Sequence, residues 1–192
     1  GIRMRSGKIA LIGIGALILL LIISGIGTYN SLVGLRESVE SSFSQIDIQL
    51  QRRYDLIPNL VETVKGYAKQ EREVIDSITE ARAKLGSSRT VEEKAQANQE
   101  LSNALSRLLV VVENYPDLKS NQNFQALFDE LAGTENRIGV ARKDYNDIAR
   151  TYNTRIRRFP ASIYAGLFGF DPVEYFEAAE GAREVPKVDF GE

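Results

Sequence analysis

An apolar stripe at coiled-coil spacing runs through the first half of this chain, and it restricts the fold more than any other feature. Alternating steps of three and four from residue 32 reach sixteen positions by residue 85. Thirteen are apolar: Leu32, Val39, Phe43, Ile46, Leu50, Ile57, Leu60, Val64, Tyr67, Val74, Ile78, Ala81 and Leu85. The exceptions are Arg36, Arg53 and Glu71. A stripe sustained that long marks a bundle or coiled-coil helix. Pro58 sits inside it and deprives the Tyr54 carbonyl, four residues back, of its helical donor. Since the stripe resumes in phase at Leu60 and Val64, the spacing predicts a kink at Pro58 and one helix from about Thr28 to Leu85.

Ahead of the stripe, Ile9 to Gly27 is a run of 19 residues without a charge. At about 1.5 Å per residue it reaches roughly 28 Å, close to the hydrocarbon thickness of a bilayer. Tyr29 follows at an interfacial position. A cleaved signal peptide is the competing reading, but the run exceeds a usual h-region and Ser24-Gly25-Ile26-Gly27 offers no Ala-x-Ala site. A retained anchor is therefore expected. Arg3, Arg5 and Lys8 precede it, against Arg36 alone soon after, so the positive-inside rule predicts a cytoplasmic N-terminus and an exported bundle.

The rest of the chain also reads as helix. Gly86-Ser87-Ser88-Arg89 breaks the first pattern, and Thr90 with Glu93 has capping-box form. A second helix carries Ala97, Leu101, Leu105, Leu108 and Val112 and stops before Pro116. A third carries Phe124, Phe128, Leu131, Ile138, Tyr145, Ala149, Tyr152 and Ile156 and ends at Phe159-Pro160. A short segment, residues 161–168, closes on Gly169, and Asp171-Pro172 predicts a further helix start. The expected fold is all-α: an N-terminal transmembrane helix continuing into an up-and-down antiparallel bundle of long helices, with short C-terminal helices. Its expected divisions are a basic flank (1–8), the span (9–29), the bundle (30–180) and a fraying tail (181–192).

Several linked motifs carry a resemblance. Gln51 to Val61, followed by Val64-Lys65-Gly66-Tyr67-Ala68, resembles the hallmark of the LemA family of bacterial membrane-anchored proteins. The likeness continues through Glu113-Asn114-Tyr115-Pro116-Asp117-Leu118-Lys119 and Thr134-Glu135-Asn136-Arg137-Ile138. It extends over Ala141-Arg142, Tyr145-Asn146, Tyr152-Asn153, Phe159-Pro160 and Gly169-Phe170. The resemblance implies an anchored helical protein and transfers no catalytic or ligand-binding residue.

Composition narrows the chemistry. Cysteine and histidine are both absent from the 192 residues. That excludes thiol nucleophiles, Ser-His-Asp triads, disulfides and Cys/His zinc sites. It also removes the Glu-x-x-His repeats of a bundle di-metal centre. Gly13-Ile14-Gly15 lies within the apolar run, away from any strand–turn–helix context, so it is no phosphate loop. No catalytic residue, cofactor or metal is expected, and the net charge of −2 gives no reason to expect nucleic acid.

The polar residues in the stripes are the candidates for interaction or register: Arg53 and Glu71 in the first helix, Glu135 and Arg142 in the third, with Pro58 at the kink. They read as ion pairs that set helix register, with a binding network as the alternative. Arg155, Arg157 and Arg158 suit a helix C-terminus, or alternatively anionic head groups. Ile163, Leu167, Phe168, Phe170, Tyr175 and Phe176 read as a cap packed on the bundle, with a partner groove second. Because the first helix outruns the second by about 31 residues, its stripe at Leu32, Val39 and Phe43 is expected to be exposed and to drive self-association. The function expected is a non-enzymatic, membrane-anchored scaffold or adaptor of the cell envelope, with unidentified protein partners. A self-assembling protein that shapes or senses membranes is the alternative, and an unfamiliar enzyme the third.

Overall fold

The computed structural model of the chain describes residues 2–178. It is all helical among those residues, with six helices: α1 (Ile2–Tyr67), α2 (Arg72–Ser87), α3 (Val91–Val112), α4 (Pro116–Lys119), α5 (Gln122–Arg157) and α6 (Ala161–Phe168). Two compact units divide the chain. Among the described residues, one joins those up to Glu40 with Ile148–Val173, and the other joins Ser41–Asp147 with residues 174–178.

The second unit is an up-and-down bundle of α1, α2, α3 and α5. Helix α1 runs unbroken through Pro58 and stops at Tyr67, so the expected single helix to Leu85 is replaced by two. Gly66, a poor helix former, precedes a turn in which the Glu71 amide donates to the Ala68 carbonyl over 3.0 Å. Glu71, the polar gap in the stripe, has left helical geometry altogether (φ −81°, ψ 51°). Helix α2 returns antiparallel to α1, since Arg82 reaches back to Tyr54. The stripe stayed in phase across the turn because each arm of this hairpin buries its own share: Ile57, Leu60 and Val64 from α1, and Val74, Ile78, Ala81 and Leu85 from α2.

Thr90 caps α3 as its sequence predicts. Its side chain accepts from the Glu93 amide, and the Glu93 carboxylate accepts from the Thr90 amide. The same carboxylate accepts from the Arg89 amide and is held below its usual pKa by these two backbone donors. Glu174 adds a second carboxylate at this helix start by accepting from the Glu92 amide (3.1 Å), where the helix dipole favours negative charge. Helix α5 runs antiparallel to α1, fixed by Asn123 on Thr63, Arg52 on Glu130, Arg137 on Gln49 and Phe43 against Tyr145.

The first unit holds the membrane-length segment. One helix of the described residues is long and apolar enough to cross a bilayer, and it lies near the N-terminus. Past that segment, Leu32 and Val39 are buried. This corrects the expected exposed stalk. Tyr29 meets Phe168 and Phe170 edge-on at 5.1 and 5.8 Å, and the Arg36 guanidinium lies 4.7 Å from the Phe170 ring centroid. The C-terminal segments thus cover this stretch of α1 within one chain. Phe43, in the second unit, is half-buried against Tyr145, with the Lys94 ammonium 5.3 Å from its ring centroid. The exposure on which self-association was argued is absent at Leu32 and Val39.

Gly169 closes α6 with φ 72°, a left-handed conformation that a Cβ would oppose. The helix expected from Asp171 does not form. In the first unit, Asn153 receives the Val173 amide on Oδ1 (2.8 Å) and donates Nδ2 to the Val173 carbonyl (2.9 Å), while the Tyr152 hydroxyl donates to the Asp171 carbonyl (2.9 Å). In the second unit, Asn146 holds the Phe176 amide and carbonyl in the same way (2.9 and 3.4 Å), and Tyr145 donates to the Glu174 carbonyl (2.6 Å). Side chains have taken the backbone groups that a helix would use among themselves. The fraying tail expected at 181–192 lies outside the described residues.

Candidate functional site

The chemistry of the bundle gathers at Gln51–Pro58. Arg52 is on the surface, with Nε 2.6 Å from Glu130 Oε1. Arg53, one residue on, points inward and is completely buried. Its Nη1 donates to Asn98 Oδ1 (2.6 Å) and to the Ser102 hydroxyl (3.0 Å), two residues one turn apart on α3. Its Nη2 lies 3.8 Å from Glu135 Oε2, and Nε and Nη2 have no hydrogen-bond partner among the described residues. Burial lowers the guanidinium pKa from its ordinary value, and the Glu135 charge works against that shift. Desolvation is therefore the larger influence, and the Glu135 side chain, 59% exposed, is a loose counterion.

Tyr54 shows what the helix does about its proline. The carbonyl freed by Pro58 accepts a hydrogen bond from Arg82 Nε of α2 at 2.8 Å. The same guanidinium stacks 3.8 Å from the centroid of the Tyr54 ring. A charged donor replaces the missing backbone one and ties α2 to α1 at this level. Gly86 lets the ring in: a Cβ there would come within 2.6 Å of Tyr54 Cε2. Pro58 is thus the reason for a cross-helix contact.

The other candidates are spread out. Glu71 accepts from the Tyr115 hydroxyl (2.8 Å), which raises the tyrosine pKa. Glu135 and Arg142 are exposed on α5 rather than core-facing. Both line a small pocket of about 140 Å³ together with Asn98, Ser102 and Phe176. Only Arg53 among the four ionisable candidates is buried. The pocket is smaller than the ~300–1,000 Å³ of ordinary small-molecule sites, so the arrangement suits a register lock with room for water-sized groups. Sequence reasoning missed Asn98, Ser102 and Arg82. Their signals were a turn-spaced polar pair beside the α3 stripe, and an arginine one step past Ala81.

A larger groove opens between α1 and α5. It encloses about 450 Å³ and is lined by Ser42, Gln45 and Gln49 from one helix and by Asn136, Arg137, Val140, Ala141 and Asp144 from the other. Val140 is 66% exposed there. Among the described residues, no group of three or more acidic side chains is arranged to hold a metal ion.

Comparison with known proteins places these features. The model of the LemA family matches residues 42–190. Magnetosome protein MamQ 2 of Paramagnetospirillum magneticum is 28% identical over 175 residues, covering 78% of this chain and 64% of that protein. Magnetosome protein MamQ of Magnetospirillum gryphiswaldense is 27% identical over 174 residues, covering 77% and 64%. Protein LemA of Metamycoplasma hominis is 26% identical over 163 residues, covering 82% and 73%. The chain spans just under two thirds of the length of the magnetosome relatives it matches.

Proposed function

Because the chain belongs to the LemA family, we propose that it acts as a membrane-anchored helical scaffold or adaptor of the bacterial cell envelope, working through protein contacts. The groove between α1 and α5 carries this proposal. Two antiparallel helices that present an exposed Val140 between the charged side chains of Arg137 and Asp144 offer what a further amphipathic helix needs in order to dock. The polar interior at Arg53 supports a structural role, because its two acceptors, Asn98 and Ser102, are both on α3 and tie that helix to α1 at a set level.

A photo-crosslinking residue at position 140, in the full chain in its native membrane, tests the proposal. The expected product is an adduct with a different protein that disappears when Asp144→Lys reverses the charge beside it. An adduct between two copies would favour the self-assembling alternative, and no adduct at all would sink the docking site. The N-terminus is cytoplasmic and the bundle exported in this proposal, on the strength of Arg3, Arg5 and Lys8 against Arg36. A C-terminal reporter active only in the cytoplasm should stay dark, and a bright one reverses the orientation.

A further inference from the structure

Helix α6 is apolar on the side it buries and on the side it shows. From Phe159 to Phe170 the sequence has no charged residue. Ala161 and Ala165 are buried, while Phe159, Ile163 and Leu167 are 81%, 52% and 73% exposed. The spacing of four puts Ile163 and Leu167 along one face of α6, and Phe159 is exposed in the turn just ahead of that helix. A helix at a water-facing surface carries polar residues on its outer side. This one does not, and Phe168 is half-exposed beside that face.

The contacts of α6 within the first unit say what surrounds it. Its Tyr164 hydroxyl donates to the Leu21 carbonyl (3.1 Å), and the Tyr164 ring lies over Gly25, where a Cβ would approach Cε1 to 2.9 Å. Both α1 residues belong to the uncharged run that ends at Gly27. Leu21 is six residues before that end, or about 9 Å along the helix axis. Amphipathic helices at membrane surfaces bury their apolar faces roughly 5–10 Å into the bilayer, so the two depths agree. Arg155, Arg157 and Arg158, all exposed, immediately precede the segment, where cations meet anionic head groups.

We infer that the outer face of α6 (Ile163 and Leu167), together with Phe159 in the turn ahead of it, is a second membrane contact, embedded in the apolar edge of the lipid bilayer beside the span. The occupant of this face is lipid acyl chain, and the flanking arginines hold the phosphates of anionic lipids. The inference rests on the span crossing the bilayer, which the test reads separately. It turns a single-helix anchor into a two-point attachment that fixes rotation of the span about its own axis.

The chain has no tryptophan, so one introduced indole reports one site. The full chain carrying Leu167→Trp, Ile163→Trp or, within the span, Ile18→Trp is reconstituted in phosphatidylcholine–phosphatidylglycerol vesicles, with and without acyl-brominated lipids. All three positions are at least half exposed, so a larger ring needs no repacking. The two α6 reporters are expected to lose emission most to lipids brominated near the head group. The span reporter should lose it most to lipids brominated near the chain ends. Quenching at residue 18 with none at 163 and 167 overturns the α6 contact and leaves the anchor standing. Blue-shifted but unquenched α6 reporters would mean a protein cover, which also overturns it. Absence of quenching at all three removes the anchor and the inference together.

Discussion

The two units put opposite kinds of side chain in the places where each is least at home in water. In the unit from Ser41, charge goes inside: Arg53 is buried, and two of its nitrogens have no hydrogen-bond partner among the described residues. In the unit built on Ile148–Val173 and the start of the chain, large apolar residues go outside, from Ile9 to Ile26 and again at Phe159, Ile163 and Leu167. Burial of polar groups and exposure of apolar ones both oppose folding in water. They have different remedies. The buried cation is answered within the chain by Asn98 and Ser102, and the exposed apolar face must be answered by its surroundings.

The comparison breaks most visibly if the internal remedy is removed. Asn98→Ala leaves Arg53 Nη1 with the Ser102 hydroxyl alone, and losing a hydrogen bond to a buried charged group costs about 1.5–3 kcal/mol. Urea unfolding of the detergent-solubilised chain should show that loss. A change well under about 1 kcal/mol would mean that water or Glu135 replaces Asn98 at no cost.

Next comes the proline contact. With Pro58 in place, Arg82→Met should cost about 1.5–3 kcal/mol, the value of a hydrogen bond from a charged donor. In a Pro58→Ala background the helix makes its own bond to the Tyr54 carbonyl, so the same change should cost about 1 kcal/mol less. Additive effects would separate Arg82 from the proline.

The third prediction concerns pH. Burial, and then the charge of Glu174, push the Tyr145 hydroxyl up to about 12. The unfolded chain ionises near the ordinary value of 10. The neutral phenol is the folded form, so this contribution is intact below about 10 and is lost as pH rises from there to about 12. Tyr145→Phe should make that alkaline decline shallower, though not flat, because burial also raises Tyr152. An unchanged slope would remove Tyr145 from the account.

The smallest effect expected is for Arg53→Met. A buried ion replaced by an apolar chain of similar reach is often neutral, so stability should stay within about 1 kcal/mol of wild type. Taken with Asn98→Ala, this asks whether Arg53 stabilises the bundle or only dictates its register. A loss as large as that of Asn98→Ala would make it a stabilising residue.

Much of this was legible beforehand. The apolar run, the Thr90–Glu93 cap, the stop at Gly169 and the helix through Pro58 are all local effects, set within a few residues of one another. What escaped depended on distant partners. The hairpin at Ala68–Glu71 escaped because a stripe that stays in phase looks the same whether the helix continues or turns back. The burial of Leu32 and Val39 escapes because nothing near them in sequence announces that Phe168 and Phe170 come to Tyr29 and Arg36 on the same stretch of α1. Asp171-Pro172 has the form of a helix start, and only the Asn153 and Tyr152 side chains, some twenty residues earlier, take its backbone groups away. Of the site itself, Arg53 and Pro58 were visible as oddities in a pattern, whereas their answers, Asn98, Ser102 and Arg82, are ordinary residues until the helices meet.

The asparagine clamps leave an imprint that can be looked for in other members of the family. Asn153 and Asn146 grip the peptide units of Val173 and Phe176 through amide and carbonyl alone. A grip of that kind does not depend on which side chain the gripped residue carries. Evolution is then free to rewrite exposed positions such as Asp171 and half-exposed ones such as Val173. It is not free at the asparagines, since neither aspartate nor leucine offers one donor and one acceptor side by side. Divergent sequences should therefore keep two Tyr-Asn pairs seven residues apart in α5 while positions such as Asp171 and Val173 drift.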